Sequence, residues 1–200
     1  MIVYDFDKTI FRRESSFLFY RWCARKHPRL LLHLPRIGWF ALRAKLGSCS
    51  LTRFKEEFHR YLAHLTDTEQ LIESFWDRYG SCIPAWLPPL LPRGGLVISA
   101  SPEFLVEGLC RRLGLPVMGT RMDIRSGAIT GLNCRGEEKP RRFRERYPDA
   151  EVEAFYSDST ADSPMAALAK EAWLVRGDRL TPWPGKDKKA TSIENRKRSE

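Results

Sequence analysis

The sequence contains no stretch of about twenty uncharged apolar residues, which excludes a hydrophobic membrane span; Arg36 interrupts the most apolar region. Cysteine is sparse. Cys23, Cys49, Cys82, Cys110 and Cys134 are odd in number and widely separated, which argues against a disulfide framework or a zinc knuckle and fits a reducing cytosol. No internal repeat is evident, and no basic lead followed by a long apolar stretch opens the chain, so a cytoplasmic protein is expected. Acidic residues are scarce in one region. Between residues 12 and 62, 12 Lys or Arg face only Glu14, Glu56 and Glu57, while the rest of the chain balances at 22 of each sign. That stretch therefore carries the whole formal excess of +9. Such a field suits an anionic substrate, an anionic membrane surface or nucleic acid, or is a solvated basic face. Its basic residues interleave with aliphatics and form no recognition motif for nucleic acid, so none is expected as a partner. What is present is 200 residues, 42% hydrophobic and 12% aromatic, enough for one sizeable core or a core with an inserted subdomain.

Residues 2–6 read as a short buried strand. From about Ser15 to Pro88 the pattern is helical and aromatic. Ser50 or Thr52 can cap one helix, and Asp67 or Thr68 the next. The run AWLPPLLPRGG, with three prolines and two glycines in 11 residues, marks a boundary. Leu96-Val97-Ile98-Ser99 follows as a second strand. Ser101, Pro102 and Glu103 read as an N-cap, a proline at the first helical position and a first-turn acid, and Gly114 ends that helix. Pro116–Thr120 is a candidate third strand, and residues 121–132 a hairpin around Ser126-Gly127. A basic helix is expected over Glu138–Tyr147, strands over Val152–Tyr156 and Ala172–Val175, and a helix over Met165–Lys170 between them.

Alternating strands and helices predict an α/β fold with a Rossmann-like, doubly wound parallel sheet. Residues 1–14 and 89–184 are assigned to that core, residues 15–88 to an inserted all-helical cap, and residues 185–200 to a basic, disordered tail. In such sheets function gathers at the carboxyl ends of the strands, which puts Asp5, Asp7, Ser99 and Asp158 on one rim.

Four segments in order, DFDKT at residues 5–9, VISAS at 97–101, Lys139 in GEEKP and YSDSTADSP at 156–164, resemble the motifs of the haloacid dehalogenase (HAD) superfamily. The resemblance spans roughly residues 2–177. It implies a phosphatase in which Asp5 attacks phosphorus to form an aspartyl-phosphate and Asp7 protonates the leaving oxygen, then takes a proton from the hydrolytic water. It also implies Mg²⁺ held by the Asp5 carboxylate, the Asp7 carbonyl and the Asp158 carboxylate, with Asp162 orienting metal-bound waters or Lys139. Lys139, Ser99 and Thr9 would bind the phosphate. The second aspartate, Asp7, matches phosphatases and phosphomutases rather than dehalogenases. The insert and the VISASPEFLVEGLCRRLG run are similar to phosphoserine phosphatases, where Glu14 would be a cap-side substrate contact. Ala161 departs from that subgroup, which usually has asparagine there, and this puts phosphoserine itself in doubt.

The cap segment RLLLHLPRIGWFALRAKL at residues 29–46 sets Arg29, Arg36 and Arg43 seven apart, so they are expected to line one stripe of a helix, with Pro35 expected to kink or break it. The simpler reading is a cap helix packed on its neighbours or at a dimer face. The pattern also fits an interfacial helix on an anionic membrane, loosely similar to the phosphatidylglycerophosphate phosphatases of this superfamily. The substrate expected is a small phosphometabolite or a phospholipid headgroup. The competing class is a non-catalytic module that binds anionic lipid or nucleic acid.

Overall fold

The structure, a computed structural model, describes residues 1–185, so the expected disordered tail lies outside the described residues from residue 186 onward. β1 (Ile2–Tyr4) is wholly buried. Its unbroken apolar run is what a strand covered on both faces requires. Successive side chains point to opposite faces: Ile2 and Tyr4 pack with Val97 and Tyr156, while Val3 packs with Leu96, Ile98 and Phe155 in a second cluster. Among the described residues, six strands form one sheet in the order β3 (Val117–Thr120), β2 (Leu96–Pro102), β1, β4 (Val152–Ser157), β5 (Ala169–Arg176), β6 (Arg179–Pro182). The first five are parallel, as expected. The edge strand β6 runs antiparallel to β5 through the turn Gly177-Asp178, where Gly177 has φ 61°. Helix–strand alternation carries no signal for such a two-residue reversal; the Gly-Asp pair does.

The chain winds from β1 outward through β2 to β3, then returns to place β4 on the other side of β1. That reversal is the switch point of a doubly wound sheet, where the carboxyl ends of β1 and β4 open a crevice.

Between β1 and β2 lie α1 (Ser15–Lys26), α2 (Leu34–Lys45), α3 (Leu51–His59) and α4 (Thr68–Tyr79). Ser50 caps α3, its hydroxyl accepting from the Arg53 amide at 3.1 Å. Asp67 occupies the cap position of α4, where its carbonyl accepts the Leu71 amide at 3.0 Å but its side chain makes no cap bond; its carboxylate faces His27 instead, at 3.2 Å. Residues 29–46 are two helices rather than one. A 3-10 helix over Pro28–His33 ends where α2 starts, and Pro35 lies in the first turn of α2, where its missing N–H has no cost. Arg29 is thus off the stripe that Arg36 and Arg43 share.

Aromatic packing joins the helical segment to the sheet layers. Phe11 and Phe6 meet the Trp76 ring edge-on, and Trp76 Nε1 donates to the Leu105 carbonyl of α5 (Glu103–Arg112) at 2.7 Å. Gly108 of α5 lies against that indole, where a Cβ would clash.

One cap assignment needs correction. β2 runs through Pro102, α5 starts at Glu103, and Ser101 does not cap it. The register of β2 against β3 shifts between Ile98 and Pro102, so the strand bends there rather than ending at Ser99. Gly114 does terminate α5, at φ 69°. Residues 121–132 turn back through a single antiparallel bridge, Met122 to Ile129. α6 (Glu138–Arg146) and α7 (Ser163–Leu168) complete the opposite layer.

Candidate active site

The crevice at the switch point is a cavity of about 450 Å³. Its floor comes from the loops after β1, β2 and β4, and its roof from α1 and α3. The residues after β1 set the geometry. The Asp5 amide continues the sheet by donating to the Tyr156 carbonyl at 2.8 Å. Three residues on, Lys8 takes φ 55°, a left-handed conformation rare for a side chain of this kind. The chain thus turns sharply after Asp7, and the two carboxylates face different partners.

Asp5 Oδ1 accepts from Lys139 Nζ at 2.6 Å, and Lys139 also donates to Asp162 Oδ2 at 2.7 Å. Lys139 is 1% exposed, in the first turn of α6. Asp162 is further held by the Ser157 hydroxyl at 2.8 Å. Burial pushes the Asp5 carboxyl above the ordinary carboxylate range; the Lys139 ammonium opposes this, and the Asp162 and Asp7 charges add to it. The Lys139 ammonium loses hydration by burial, but its two carboxylates outweigh that and hold its proton well above the usual lysine value.

Asp7 faces the roof. Its Oδ1 accepts the Ser15 amide at 2.6 Å, at the start of α1, and its Oδ2 accepts the Ser101 hydroxyl. Burial raises the Asp7 carboxyl, against the pull of those hydrogen bonds. Ser99 is buried in the cavity wall, its oxygen accepting the Ser101 amide at 3.0 Å. Asp158 is half-buried in the wall, raised by burial and lowered by Lys8 and Arg176, whose guanidinium donates to the Asp158 carbonyl.

Thr9 is not in the cavity wall. Its hydroxyl oxygen accepts the Asp158 amide at 3.0 Å and lies 3.4 Å from Asp5 Oδ2, so it ties the β1 loop to the β4 loop behind the carboxylates. Glu14 does line the cavity, yet its carboxylate caps α1 by accepting the Phe17 amide at 2.7 Å. The structure thus brings Asp5, Asp7, Glu14, Ser99, Lys139, Asp158 and Asp162 around one cavity, with Thr9 bracing it.

Three wall residues escape the motif reading: Ser101, which holds Asp7; Lys55 of α3; and Asn133, whose side chain accepts from Lys55. The apolar spacing of Leu51, Phe54 and Phe58 marks the face of α3 on which Lys55 lies.

The donor set fits a hard cation. Asp5 and Asp158 both line the cavity with carboxylate side chains. Among the described residues no three His, Cys, Asp or Glu side chains form a closed cage. Two carboxylates with room for water match the way Mg²⁺ is held, and no sulfur or imidazole lies among these donors to favour a softer metal.

Comparison with known proteins agrees with this fold. The chain is 28% identical to Protein CicA of Caulobacter vibrioides, over 86% of this chain and 83% of the relative. Its fold is similar to a protein of unknown function from Bordetella pertussis Tohama I, with TM-score 0.73, 17% identity, and 86% and 87% of the two chains covered. It is also similar to a phosphoserine phosphatase in a substrate-bound complex, with TM-score 0.59, 16% identity, and coverage of 86% and 83%. These structural likenesses speak to the fold. Among the described residues no helix is long and apolar enough to cross a membrane. The model of the haloacid dehalogenase-like hydrolases matches residues 2–167, most of the chain, and the protein belongs to that family.

Proposed function

We propose that the protein is a Mg²⁺-dependent phosphatase that hydrolyses a phosphomonoester through an aspartyl-phosphate on Asp5. The observation that carries the reading is the division of the two aspartates: Asp5 is paired to Lys139 at the cavity floor, and Asp7 is turned to the roof by Ser15 and Ser101. Asp5 Oδ1 is occupied by the ammonium, while Oδ2 has only the long contact to Thr9 and is the oxygen free to attack phosphorus. As the Asp5 O–P bond forms and the ester P–O bond breaks, Asp7 gives its proton to the leaving oxygen. Burial, which favours the protonated Asp7 carboxyl, suits that role. Asp7 then takes a proton from the water that attacks phosphorus, and Asp5 leaves as a carboxylate. Lys139 supplies positive charge beside the transferring group, Ser99 a hydroxyl, and Asp162 fixes the ammonium. Mg²⁺, held by Asp5, Asp158 and the Asp7 carbonyl, would neutralise the phosphoryl oxygens against the attacking carboxylate. Glu14 faces the leaving-group side, on the same wall as Asp7.

A second reading concerns where the substrate resides. Of the ten large apolar side chains exposed among the described residues, seven lie between Leu31 and Leu51, Leu32 at 81% and Trp39 at 59% exposure among them. α2 buries none of its residues and carries Arg43 and Lys45 in its last turn. An apolar patch of this size set among cations suits peripheral contact with an anionic membrane and a phospholipid headgroup as substrate.

The test is phosphate release from phosphoserine, sugar phosphates, nucleotides and micellar phosphatidylglycerophosphate, with and without Mg²⁺. Release from at least one substrate that stops on chelation is expected. No release from any, by folded protein with Mg²⁺, would overturn the phosphatase and favour a binding module, read out by sedimentation with anionic liposomes.

A further inference from the structure

Lys55 is a cavity lysine that the chemistry above does not use. It lies on α3 between Phe54 and Phe58, on the helix face that lines the roof. Its Nζ donates to the Ala100 carbonyl at 2.7 Å and to Asn133 Oδ1 at 2.6 Å, both neutral acceptors. No carboxylate pairs with it among the described residues. Burial, and after it the Arg135 charge, lower its proton affinity to about 8 against the opposing pull of Asp7 and Glu14, which act only through space. Arg135 lines the same cavity, exposed, and also lacks an ion-pair partner among the described residues.

Position gives this charge a meaning. Lys55 is bonded to the carbonyl of Ala100, whose neighbour Ser101 donates to Asp7, so Lys55 stands on the Asp7 side of the cavity, where the leaving alcohol must lie. A half-buried ammonium held only by neutral oxygens has a donor direction to spare and loses part of its hydration, which an anion would replace. Ammonium and guanidinium on one side of Leu51, Phe54 and Phe58 make a subsite for an organic group that is apolar in part and negatively charged at one point.

Resting on the phosphatase reading, we propose that Lys55, with Arg135, selects phosphomonoesters whose leaving alcohol carries a second anionic group, a carboxylate or a phosphodiester. This assigns a specificity-determining role to Lys55 and requires no step of the reaction to pass through it.

The experiment compares kcat/KM for glycerol 3-phosphate, whose leaving alcohol is neutral, with 3-phosphoglycerate, a glycerophosphodiester phosphomonoester in solution, and phosphatidylglycerophosphate in micelles. A preference of about tenfold or more for at least one anionic member is expected, consistent with one charge-assisted contact. The preferred member tells a carboxylate from a phosphodiester, and a soluble source from a lipid one. In Lys55→Met the ratio should fall toward one, and in Lys55→Arg it should largely persist. Each ratio comes from one protein preparation, so a folding defect scales both substrates alike. A ratio near one in the unaltered protein, or a ratio unmoved in Lys55→Met, would overturn the assignment. p-Nitrophenyl phosphate separates the two proposals. If it and all other esters are left intact, the phosphatase reading fails. The Lys55 assignment then stands or falls on calorimetry of 3-phosphoglycerate against glycerol 3-phosphate, measured with and without Lys55→Met.

Discussion

The floor of the cavity holds a fully buried lysine and the roof a half-buried one, and the two are built in opposite ways. Lys139 donates to two carboxylates, Asp5 and Asp162, and its charge is matched within the protein. Lys55 donates to a carbonyl and an amide oxygen, and its charge is left for something else to match. A matched charge holds its neighbours in place; an unmatched one in a cavity recruits a ligand. Under the proposed function, the floor is then the fixed reacting centre on strand ends, and the roof the part that chooses what reacts there.

The largest effect should come from the floor. Asp5→Asn is expected to cut phosphate release at least about a thousandfold, roughly 4 kcal/mol of barrier. Its thermal midpoint should hold or rise, because burial disfavours the charge that this substitution removes. Activity that survives Asp5→Asn would move the nucleophile elsewhere.

The two lysines can then be set against each other. Lys139→Met strands two buried carboxylates and should destabilise the fold by about 3–5 kcal/mol. Lys55→Met leaves the Thr120 hydroxyl, 2.5 Å from the Ala100 carbonyl and 3.0 Å from Asn133 Oδ1, to share its one proton between them. It should cost no more than about 1 kcal/mol. Chemical denaturation of both variants checks this, and equal losses would erase the contrast.

The same division governs what could be read from the sequence. Asp5, Asp7, Ser99 and Asp158 were legible because each follows its own apolar strand, and strand ends in a doubly wound sheet converge. Lys139 was legible only as a member of an ordered set. Lys55 was not, since its partners are 45 and 78 residues away and no local pattern encodes them. Ser101 was misread as a helix cap because Ser-Pro-Glu is a sound helix start. The register shift in β2 extends the strand past it and frees the hydroxyl for Asp7. β6 was missed although its Gly-Asp turn was in view, since an edge strand of four residues has little apolar content to announce it.

His59 offers a test of the roof alone. It is buried against Phe58 and Tyr61, its Nδ1 is 2.8 Å from the Lys55 carbonyl, and its Nε2 has no partner among the described residues. Burial lowers its proton affinity from 6.5 to about 4, so the folded protein keeps this ring neutral where the unfolded chain protonates it. Its contribution is complete above pH 6.5 and is lost as pH falls toward 4, up to about 3 kcal/mol. Unfolding midpoints across that window should fall more steeply for the unaltered protein than for His59→Gln. Parallel curves would mean that the ring finds water or a partner on protonation.

The smallest effect on stability, and the sharpest on location, belongs to α2. Trp39 is 59% exposed and Leu42 50%, on a helix that buries no residue. Replacing either with glutamate removes no core contact and should shift stability by no more than about 0.5 kcal/mol. If the patch meets a membrane, the same change sets a negative charge against anionic headgroups and withdraws the aromatic or aliphatic anchor. Sedimentation with anionic vesicles should then drop severalfold for Trp39→Glu, while hydrolysis of a soluble ester stays as it was. Loss of both together would mean that α2 serves the cavity itself. Loss of neither would leave α2 a solvated or self-associating face, with the choice of substrate resting on α3 alone.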